Sequence, residues 1–341
     1  MSPLPTLAEI ESAAALVHEV MPPTPQFAWP LLAQRLGTEV WVKHENHTPT
    51  GAFKVRGGLV YLHGLKAREP QCPGIVSATR GNHGQSLALA ARRHGIGATI
   101  VVPHGNSREK NAAMRAFGAT LVEHGEDFQA ATEHAAVLAA RDGLHRVPSF
   151  HRDLVRGVAT AWVEFFRAVP QLDVVYVPIG LGSGLCAAIA ARAALGRRLR
   201  LVGVVSAHAR AYALSLAQRR AVASPVSTRL ADGMACRVPD PAALALMLDQ
   251  VDGVVEVDDT EVAQAMKALY LDTHNVAEGA GAASLAAALQ RARTHPAEIA
   301  GRCVGLTLCG GNVDHEVFAE VLGTADPAPA PARGAAASSA G

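Results

Sequence analysis

The segment Val174-Val-Tyr-Val-Pro-Ile-Gly-Leu-Gly-Ser-Gly-Leu185 carries the pattern that decides the fold. It begins with a β-branched and aromatic run, continues through a turn with three glycines, and leads into an alanine-rich stretch that suits a helix. Strand, glycine-rich turn and helix in this order are typical of parallel sheets whose strands are joined by helical crossovers. The segment therefore predicts an α/β protein.

The same alternation of strand-like and helix-like stretches continues along most of the chain. Several of the strand-like runs are apolar throughout, as expected for strands that helices cover on both faces. The predicted strands are residues 39–43, 74–78, 98–102, 120–123, 174–177, 201–205 and 304–308, and the predicted helices include residues 86–95, 110–118, 185–195 and 260–271. We expect mostly parallel sheets that are covered by helices.

Composition limits the classes of function. The chain has 341 residues, of which 49% are apolar and 18% charged, so it can bury a core for two lobes or one large α/β unit. The net charge of +1 is no polyelectrolyte footprint, and we expect no nucleic-acid partner. No export signal and no membrane-spanning run are evident. The five cysteines form no C-x-x-C pair, which indicates reduced thiols and a cytoplasmic protein.

One of only five lysines lies in the small-residue segment Thr50-Gly-Ala-Phe-Lys54-Val-Arg-Gly-Gly58. The glycines allow a ligand to approach the backbone, and Phe53 places a ring beside the amine of Lys54. A desolvated lysine loses its charge more easily and becomes nucleophilic. Lys54 is therefore a candidate nucleophile, although the segment also suits an ordinary strand-to-helix connection with a surface lysine.

A polar loop, Ser77-Ala-Thr-Arg-Gly-Asn-His-Gly-Gln-Ser86, follows the predicted strand at 74–78 and opens a helix. Open α/β sheets bind ligands at the carboxyl ends of their strands. The free N–H groups at a helix start favour a carboxylate or a phosphate. The loop is a candidate anion site, and an ordinary capping turn is the alternative interpretation.

The glycines at 180, 182 and 184 allow successive amides to converge on an anion, and Ser183 can add a hydroxyl. A dinucleotide pyrophosphate would also suit such a turn, and this alternative predicts a nucleotide-binding oxidoreductase. A dinucleotide site, however, requires an acid at the end of the next strand. Residues 206–208, which follow that strand, are Ser-Ala-His, so the pattern favours a single phosphate.

The predicted strand at 304–308 leads into Cys309-Gly-Gly-Asn312. A lone cysteine is most often a small buried hydrophobic residue. Together with the other three loops, however, this segment completes a set that contains a lysine, an anion cradle and a polar side chain at strand ends. These are the groups needed to hold a phosphorylated aldehyde cofactor.

Five motifs in combination resemble the fold-type II pyridoxal-phosphate enzymes, specifically the branch of threonine/serine dehydratases and serine racemases. The likeness spans about residues 5–323, and it implies pyridoxal 5′-phosphate as cofactor and a two-lobed fold like that of the tryptophan synthase β chain. The motifs are Thr50-Gly-Ala-Phe-Lys-Val-Arg-Gly57, Gly81-Asn-His-Gly-Gln85, the glycine turn at 180–184, Glu278-Gly-Ala-Gly-Ala282 and Cys309-Gly-Gly-Asn312.

The resemblance also implies roles for individual residues. Lys54 would form the Schiff base with the cofactor, Phe53 would lie against the cofactor ring, and Asn82 would bind the 3-hydroxyl. Cys309 takes the place where the family usually has Ser or Thr facing the pyridine nitrogen. The cofactor phosphate would be held by main-chain N–H groups of Gly180, Leu181, Gly182, Ser183 and Gly184, and the substrate carboxylate by the loop that contains Thr79, Arg80, Gly81 and His83.

The implied organisation has two lobes and a tail. A large cofactor-binding lobe would combine residues 1–50 with 151–324, and a small lobe of residues 51–150 would carry the substrate loop, with the cofactor between them. Residues 325–341 are rich in Pro, Ala, Ser and Gly and are predicted to be disordered. A homodimer is a further expectation from the family.

The implied reaction is a β-elimination. Lys54 would take the Cα proton of a 3-hydroxy amino acid, the hydroxyl would leave as water, and a 2-oxo acid and ammonia would result. A thiol at position 309 leaves the pyridine nitrogen essentially neutral, which suits elimination. Arg80 stands where racemases of this branch place a hydroxyl as second acid/base, and arginine does not release a proton near neutral pH. We therefore expect a dehydratase, with an amino-acid racemase as the alternative.

The substrate and the metal dependence follow from departures from the family pattern. The loop at 79–85 resembles dehydratases of threonine or serine or, more closely, of bulkier L-threo-3-hydroxy amino acids such as L-threo-3-phenylserine. Alternatively, Arg80 binds a second carboxylate, as in 3-hydroxyaspartate. Relatives that bind a divalent cation carry a Glu soon after the strand at 201–205, and this chain has Ser206-Ala-His208 there. Asp232 remains a possible ligand, and we predict no metal site.

Overall fold

The computed structural model describes residues 4–324, which form thirteen α-helices and ten β-strands. The helices are α1 (Leu7–His18), α2 (Pro30–Leu36), α3 (Lys54–Arg68), α4 (Asn82–Arg93), α5 (Arg108–Ala116), α6 (Phe128–Asp142), α7 (Arg152–Ala168), α8 (Ser183–Ala194), α9 (Ala211–Gln218), α10 (Pro241–Met247), α11 (Asp259–Thr273), α12 (Gly279–Thr294) and α13 (His315–Leu322). The strands are β1 (Gln26–Ala28), β2 (Glu39–His44), β3 (Ile75–Ala78), β4 (Ala98–Val102), β5 (Thr120–Glu123), β6 (His145–Arg146), β7 (Val174–Pro178), β8 (Arg200–Ser206), β9 (Gly253–Val257) and β10 (Cys303–Leu308). The tail predicted to be disordered, residues 325–341, lies outside the described residues.

The strands form two sheets. One has six strands in the order β1-β2-β10-β7-β8-β9, and the other has four in the order β5-β4-β3-β6. Every pair is parallel except β1 with β2. The prediction of an α/β fold with mostly parallel sheets is therefore confirmed.

Both faces of the central strands are buried, which explains their continuous apolar sequence. In β7, Val174 and Tyr176 pack into the core under α11 and α12, whereas Val175 and Val177 pack into the core under α7 and α8. In the smaller sheet, Ile75 belongs to a core that also contains residues of α3 and α4. Helices therefore cover both sides, as parallel strands require.

All seven predicted strands are present, with ends displaced by no more than one residue. Strands β1, β6 and β9 were not predicted, and β6 has only two residues, which pair with β3. The predicted start of helix α4 at residue 86 is wrong, because α4 begins at Asn82. Its first residues are polar because they face a cleft, so the apolar periodicity begins one turn too late.

Helix α3 was not predicted because glycines interrupt its sequence. The reason for two of them is close packing: a Cβ on Gly58 would lie 2.2 Å from Ser86 Oγ, and one on Gly57 would lie 2.9 Å from the Leu154 carbonyl oxygen. Close packing against α4 and α7 offsets the poor helix propensity of glycine. This packing holds Lys54, the first residue of α3, at the cleft.

The two sheets fall on the two sides of the predicted lobe boundaries. Strands β3 to β6 all lie within residues 51–150, and the six-stranded sheet takes its strands from the segments before and after. The boundaries of the lobes themselves stay a prediction. Within residues 4–324, no helix is long and apolar enough to span a membrane.

Candidate active site

One cleft brings together all the residues that the sequence singled out. It lies at the carboxyl ends of β3, β7 and β10, where parallel α/β sheets place their ligand sites. The residues predicted from sequence that line it are Phe53, Lys54, Thr79, Arg80, Gly81, Asn82, His83, Gly180, Leu181, Gly182, Ser183, Gly184 and Cys309. Their individual roles toward a ligand stay predictions.

Lys54 reaches into the cleft from the first turn of α3. Its Nζ donates to Ser183 Oγ at 2.9 Å and lies 4.9 Å from the centroid of the Phe53 ring. Desolvation lowers the pKa of Lys54 to about 8, although the neighbouring Cys309 and Glu278 oppose this shift. At pH 7 roughly a tenth of this amine is therefore neutral, far more than for an ordinary lysine, and a nucleophile or base requires the neutral form.

The glycine turn precedes α8 and leaves N–H groups free at the start of that helix. Gly182 has φ +98°, a left-handed conformation that favours glycine, and α8 begins at Ser183. At Gly180 a Cβ would lie 2.3 Å from the Gly233 carbonyl oxygen, so no larger residue fits there. A helix start without a capping side chain is a ready anion site.

Asn82 begins α4 and is held by two neighbours. Its Nδ2 donates to Glu278 Oε1 at 2.6 Å, and its Oδ1 accepts from Asn312 Nδ2 at 2.9 Å. Asn312 in turn donates to the Thr50 carbonyl oxygen at 2.8 Å. The orientation of the Asn82 amide is therefore set, and one hydrogen of Nδ2 remains available to a ligand.

The other residues of the 79–83 loop differ in burial. Thr79 is buried and its Oγ1 accepts from the Gly81 N–H at 3.0 Å. His83 is also buried, and its Nε2 has no hydrogen-bond partner. Burial, with the nearby charge of Lys54, lowers the pKa of His83 to about 3, so this imidazole is neutral. Arg80 is partly exposed at the mouth of the cleft.

Cys309 is buried at the end of β10. Its Sγ lies 3.5 Å from the Ala280 carbonyl oxygen, and its own carbonyl accepts from the Phe53 N–H at 3.0 Å. Burial and the charge of Glu278 raise the pKa of the Cys309 thiol, although the nearby Lys54 charge opposes them. Cys309 is therefore a neutral thiol and presents no negative charge to the cleft.

Three charged residues of the cleft received no catalytic role from the sequence. Lys110, Asp232 and Glu278 line the cleft, and Lys110 Nζ lies 2.7 Å from Asp232 Oδ2 and 3.2 Å from Glu278 Oε2. Asp232 was considered only as a metal ligand. Two signals were available: Lys110 is one of five lysines, and Glu278 lies in a quoted motif. In residues 4–324, no group of three or more His, Cys, Asp or Glu residues is arranged to hold a metal ion.

The residues present fit pyridoxal phosphate. The anion-seeking turn at 180–184 suits the phosphate, and Phe53, whose ring lies 3.6 Å from a Cβ built on Gly184, supplies an apolar wall beside it. Lys54 offers an amine without a hydrogen-bonded carboxylate, and the unpartnered His83 Nε2 leaves a buried polar atom toward the cleft. A phosphate cradle, an aromatic wall and a desolvated amine in one cleft define a pyridoxal-phosphate site.

Comparison with known families agrees with this assignment. Residues 17–310 match the family described as "Pyridoxal-phosphate dependent enzyme". The chain therefore belongs to this family, and pyridoxal phosphate is its cofactor. Its curated relatives include ammonia-lyases and threonine dehydratases, which confirms the prediction of a pyridoxal-phosphate dependent lyase.

Two such relatives bear on the reaction. The L-threonine ammonia-lyase of Geobacter sulfurreducens is 35% identical over 292 residues, which cover 85% of this chain and 71% of that protein. The L-threo-3-hydroxyaspartate ammonia-lyase of Saccharomyces cerevisiae is 28% identical, with 96% of this chain and 99% of that protein covered.

Solved structures show the same fold. Threonine deaminase isoform 2 from Solanum lycopersicum superposes with a TM-score of 0.85 at 28% identity, covering 92% of this chain and 86% of that one. A pyridoxal 5′-phosphate-dependent aspartate racemase superposes with a TM-score of 0.86 at 27% identity, covering 92% and 97%. Lyases and racemases thus share this architecture, so only the residues of the cleft can distinguish the two activities.

Proposed function

We propose that this enzyme is a dehydratase that converts an L-threo-3-hydroxy amino acid to a 2-oxo acid and ammonia. The observation that carries the proposal is the Lys54 amine, which is desolvated and lies 2.9 Å from Ser183 at the glycine turn. The similarity to the Geobacter sulfurreducens L-threonine ammonia-lyase supports the same reaction class.

The chain supplies a base, an anion cradle and a neutral wall. When bound, pyridoxal phosphate supplies an aldehyde that links to amines and a ring that withdraws electrons from Cα. The neutral fraction of Lys54 can accept the Cα proton, and the Ser183 hydroxyl orients this amine. Cys309 carries no charge that would hold a proton on the ring nitrogen, which favours prompt loss of the β-hydroxyl.

Arg80 distinguishes elimination from racemisation. Racemisation needs a second group that gives a proton to the opposite face of Cα, and arginine does not exchange its proton near neutral pH. The cleft offers Lys54 as a base, and Arg80 cannot serve as the second proton donor, so this pair of residues supports net elimination. The similarity to an aspartate racemase keeps racemisation as the outcome to test against.

A groove beside the cleft supports a bulky substituent on the substrate. It has a volume of about 820 Å³ and shares Arg80, Phe128 and Leu181 with the cleft. Its other apolar lining includes Pro225, Val226 and Val238. Polar side chains also line this groove, but its apolar part, with the Phe128 ring, suits a phenyl group, so L-threo-3-phenylserine is the first candidate substrate.

A second candidate substrate is L-threo-3-hydroxyaspartate. Arg80 forms no hydrogen bond or ion pair with any residue between 4 and 324. An unpaired guanidinium beside the cleft suits a second carboxylate, and the Saccharomyces cerevisiae relative is named for this substrate.

The covalent site is tested by borohydride reduction of the holoenzyme followed by peptide mapping. We expect the reduced cofactor on the peptide that contains Lys54. Lys54→Ala should lose both the label and 2-oxo acid release, whereas Lys66→Ala, which removes a lysine on the far part of α3, should keep both. A label on another lysine would overturn the assignment.

The substrate is tested by measuring kcat/KM for L-threo-3-phenylserine, L-threo-3-hydroxyaspartate, L-threonine and L-serine. Each value is compared between wild type, Arg80→Met and the control variant Gln129→Ala, which changes a neighbouring residue of the groove. If the substrate is hydroxyaspartate, Arg80→Met should lower kcat/KM by about ten- to hundred-fold, the value of a charge-assisted hydrogen bond. If it is phenylserine, kcat/KM should change little. Interconversion of enantiomers that outruns 2-oxo acid release with every substrate would refute the dehydratase proposal.

Cellular location and assembly are part of the same proposal. A cytoplasmic homodimer is proposed from the reduced cysteines and the family likeness, and size-exclusion chromatography with light scattering tests the dimer. Five free cysteines occur in residues 4–324, and four of them are buried.

A further inference from the structure

Lys110 is a buried lysine that the proposed reaction does not use. It lies in the first turn of α5, after the loop that follows β4, and its side chain is 7% exposed. Its alkyl chain passes directly over Gly81, because a Cβ on Gly81 would lie 2.4 Å from Lys110 Cδ. The glycine in the substrate loop is therefore required for Lys110 to enter the cleft.

The amine of Lys110 pairs with two carboxylates. Asp232 Oδ2 lies at 2.7 Å and Glu278 Oε2 at 3.2 Å. Burial by itself lowers the pKa of Lys110, but the charges of Asp232 and Glu278 outweigh burial and raise it. Lys110 therefore stays a cation and is not available as a second nucleophile.

Glu278 links the Lys110 cation to Asn82, at one end of the cofactor site. Glu278 is 2% exposed, and burial raises its pKa while Lys110 opposes that shift. Its Oε1 accepts from Asn82 Nδ2 at 2.6 Å. Without a nearby cation a carboxylate buried to this degree would take up a proton, and a protonated Oε1 would no longer orient the Asn82 amide as an acceptor.

Asp232 links the same cation to the glycine turn, at the other end of the cofactor site. It begins a short segment in which Gly233 packs against the glycine turn, since a Cβ on Gly180 would lie 2.3 Å from the Gly233 carbonyl oxygen. An ion pair that fixes Asp232 therefore also supports the backbone against which Gly180 lies. Lys110 thus contacts the supports of both Asn82 and the glycine turn.

We propose that Lys110 is a positioning residue that fixes both ends of the cofactor site, Asn82 through Glu278 and the glycine turn through Asp232. The inference rests on the proposed cofactor site in this cleft. It assigns Lys110 no contact with the reacting atoms. Lys110 lies on α5, between β4 and β5 of the four-stranded sheet, whereas Asp232 and Glu278 lie in segments next to strands of the six-stranded sheet. The Lys110 ion pairs therefore join the parts of the protein that carry the two sheets.

The test measures the dissociation constant of pyridoxal phosphate from apoprotein and the visible absorption of the loaded protein. Trp162, whose Nε1 donates to the Gly184 carbonyl oxygen at 3.1 Å, provides a fluorescence signal beside the site. We expect Lys110→Met to raise the dissociation constant by at least about ten-fold and to change the absorption band. Lys110→Arg, which keeps the charge, should stay within about three-fold of wild type.

Arg108→Met is the matched control. Arg108 lies in the same turn of α5 and pairs with Glu316, and both side chains are exposed. We expect its dissociation constant to be unchanged. The Ser107 hydroxyl donates to Asp314 Oδ1 at 2.6 Å, so α5 keeps a second attachment in every variant.

A double-mutant cycle tests the route through Glu278. In Glu278→Gln the buried charge is gone, so adding Lys110→Met should raise the dissociation constant by less than it does in wild type. Equal effects in both backgrounds would overturn that route. If Lys110→Met fails to fold, Asp232→Asn replaces it, and an unchanged dissociation constant and spectrum there would overturn the inference.

The two proposals fail separately. Wild type that carries the borohydride label on Lys54, together with a Lys110→Met protein that binds the cofactor like wild type, overturns only the role of Lys110. Wild type without a label on Lys54 overturns the proposed site itself.

Discussion

Lys54 and Arg56 lie two residues apart in the first turn of α3, and both carry their charged groups into the protein interior. Arg56 is fully buried and donates to Glu45 at 2.8 Å and to Glu164 at 2.7 Å. Burial lowers the pKa of Arg56, but these two glutamates outweigh it and raise the pKa. Among residues 4–324, the Lys54 amine has only the Ser183 hydroxyl as hydrogen-bond partner, and desolvation lowers its pKa to about 8.

The difference separates a cation that supports the fold from one that is kept reactive. Glu164 also forms an ion pair with Lys43 at 2.7 Å. In the cluster of Arg56, Lys43, Glu45 and Glu164, each charge therefore has an opposite charge beside it. Around Lys54, no carboxylate of residues 4–324 is within hydrogen-bond distance of the amine. A compensated buried charge is costly to disrupt, whereas an uncompensated one costs stability and gains reactivity.

The largest effect is expected from Arg56→Met. Removal of the guanidinium leaves Glu45 and Glu164 buried beside fewer cations, and breaking such a pair costs about 3–5 kcal/mol. Urea unfolding of the apoprotein measures the loss. The control is Arg115→Met, which removes an exposed pair with Glu123 and should cost less than about 1 kcal/mol. A loss below about 1 kcal/mol for Arg56→Met would contradict the comparison.

Lys54→Met is expected to change the free energy of unfolding of the apoprotein in the opposite direction. The folded pKa of Lys54, about 8, lies below the ordinary lysine value of 10.5, so at pH 7 the folded state bears the cost of a desolvated ammonium. Its removal should stabilise the apoprotein by about 1–3 kcal/mol. We expect a value near the lower end because water in the cleft reduces the cost of the charge.

The pH dependence checks the sign of this effect. The unfolded chain binds the proton more tightly, so wild-type stability should rise between about pH 8 and pH 10.5, and its deficit relative to Lys54→Met should shrink over that range. A Lys54→Met protein that is less stable than wild type at pH 7 would show that the amine is compensated after all.

A third effect concerns the rate at which the apoprotein captures pyridoxal phosphate. Below about pH 8 the neutral fraction of Lys54 falls, so the rate constant should fall about ten-fold per pH unit. Stopped-flow absorbance measures it. With N-acetyl-lysine as control amine, the rate should keep rising toward about pH 10. If the protein follows the same curve as the free amine, Lys54 is not desolvated.

The smallest effect is expected at the edge of the Arg56 cluster. His18 Nε2 lies 3.0 Å from Glu164 Oε1, and its side chain is 33% exposed. His18→Gln leaves Arg56 and Lys43 on Glu164, so it should change the free energy of unfolding by less than about 1 kcal/mol. A loss comparable to that of Arg56→Met would mean that the cluster depends on its exposed rim.

Much of the cleft could be predicted from short segments, because each carries its chemistry locally. The glycine turn at 180–184 and the loop at 79–83 lie at the ends of strands, and Lys54 lies beside Phe53 in a segment of small residues. The network of Arg56 with Glu45 and Glu164 could not be predicted, since Glu164 is 108 residues from Arg56 along the chain. Lys110, Asp232 and Glu278 come from three distant segments for the same reason.

The amino-acid sequence by itself determined the parallel α/β architecture, the family and many of the residues that face the cleft. These follow from local periodicity and from motifs in which neighbours in sequence act together. The tertiary structure alone decided which buried charges are compensated. Desolvation and ion pairing depend on distances between remote segments. Lys54 therefore remains reactive, while Arg56 and Lys110, whose charges also lie inside the protein, are held as cations by their carboxylate partners.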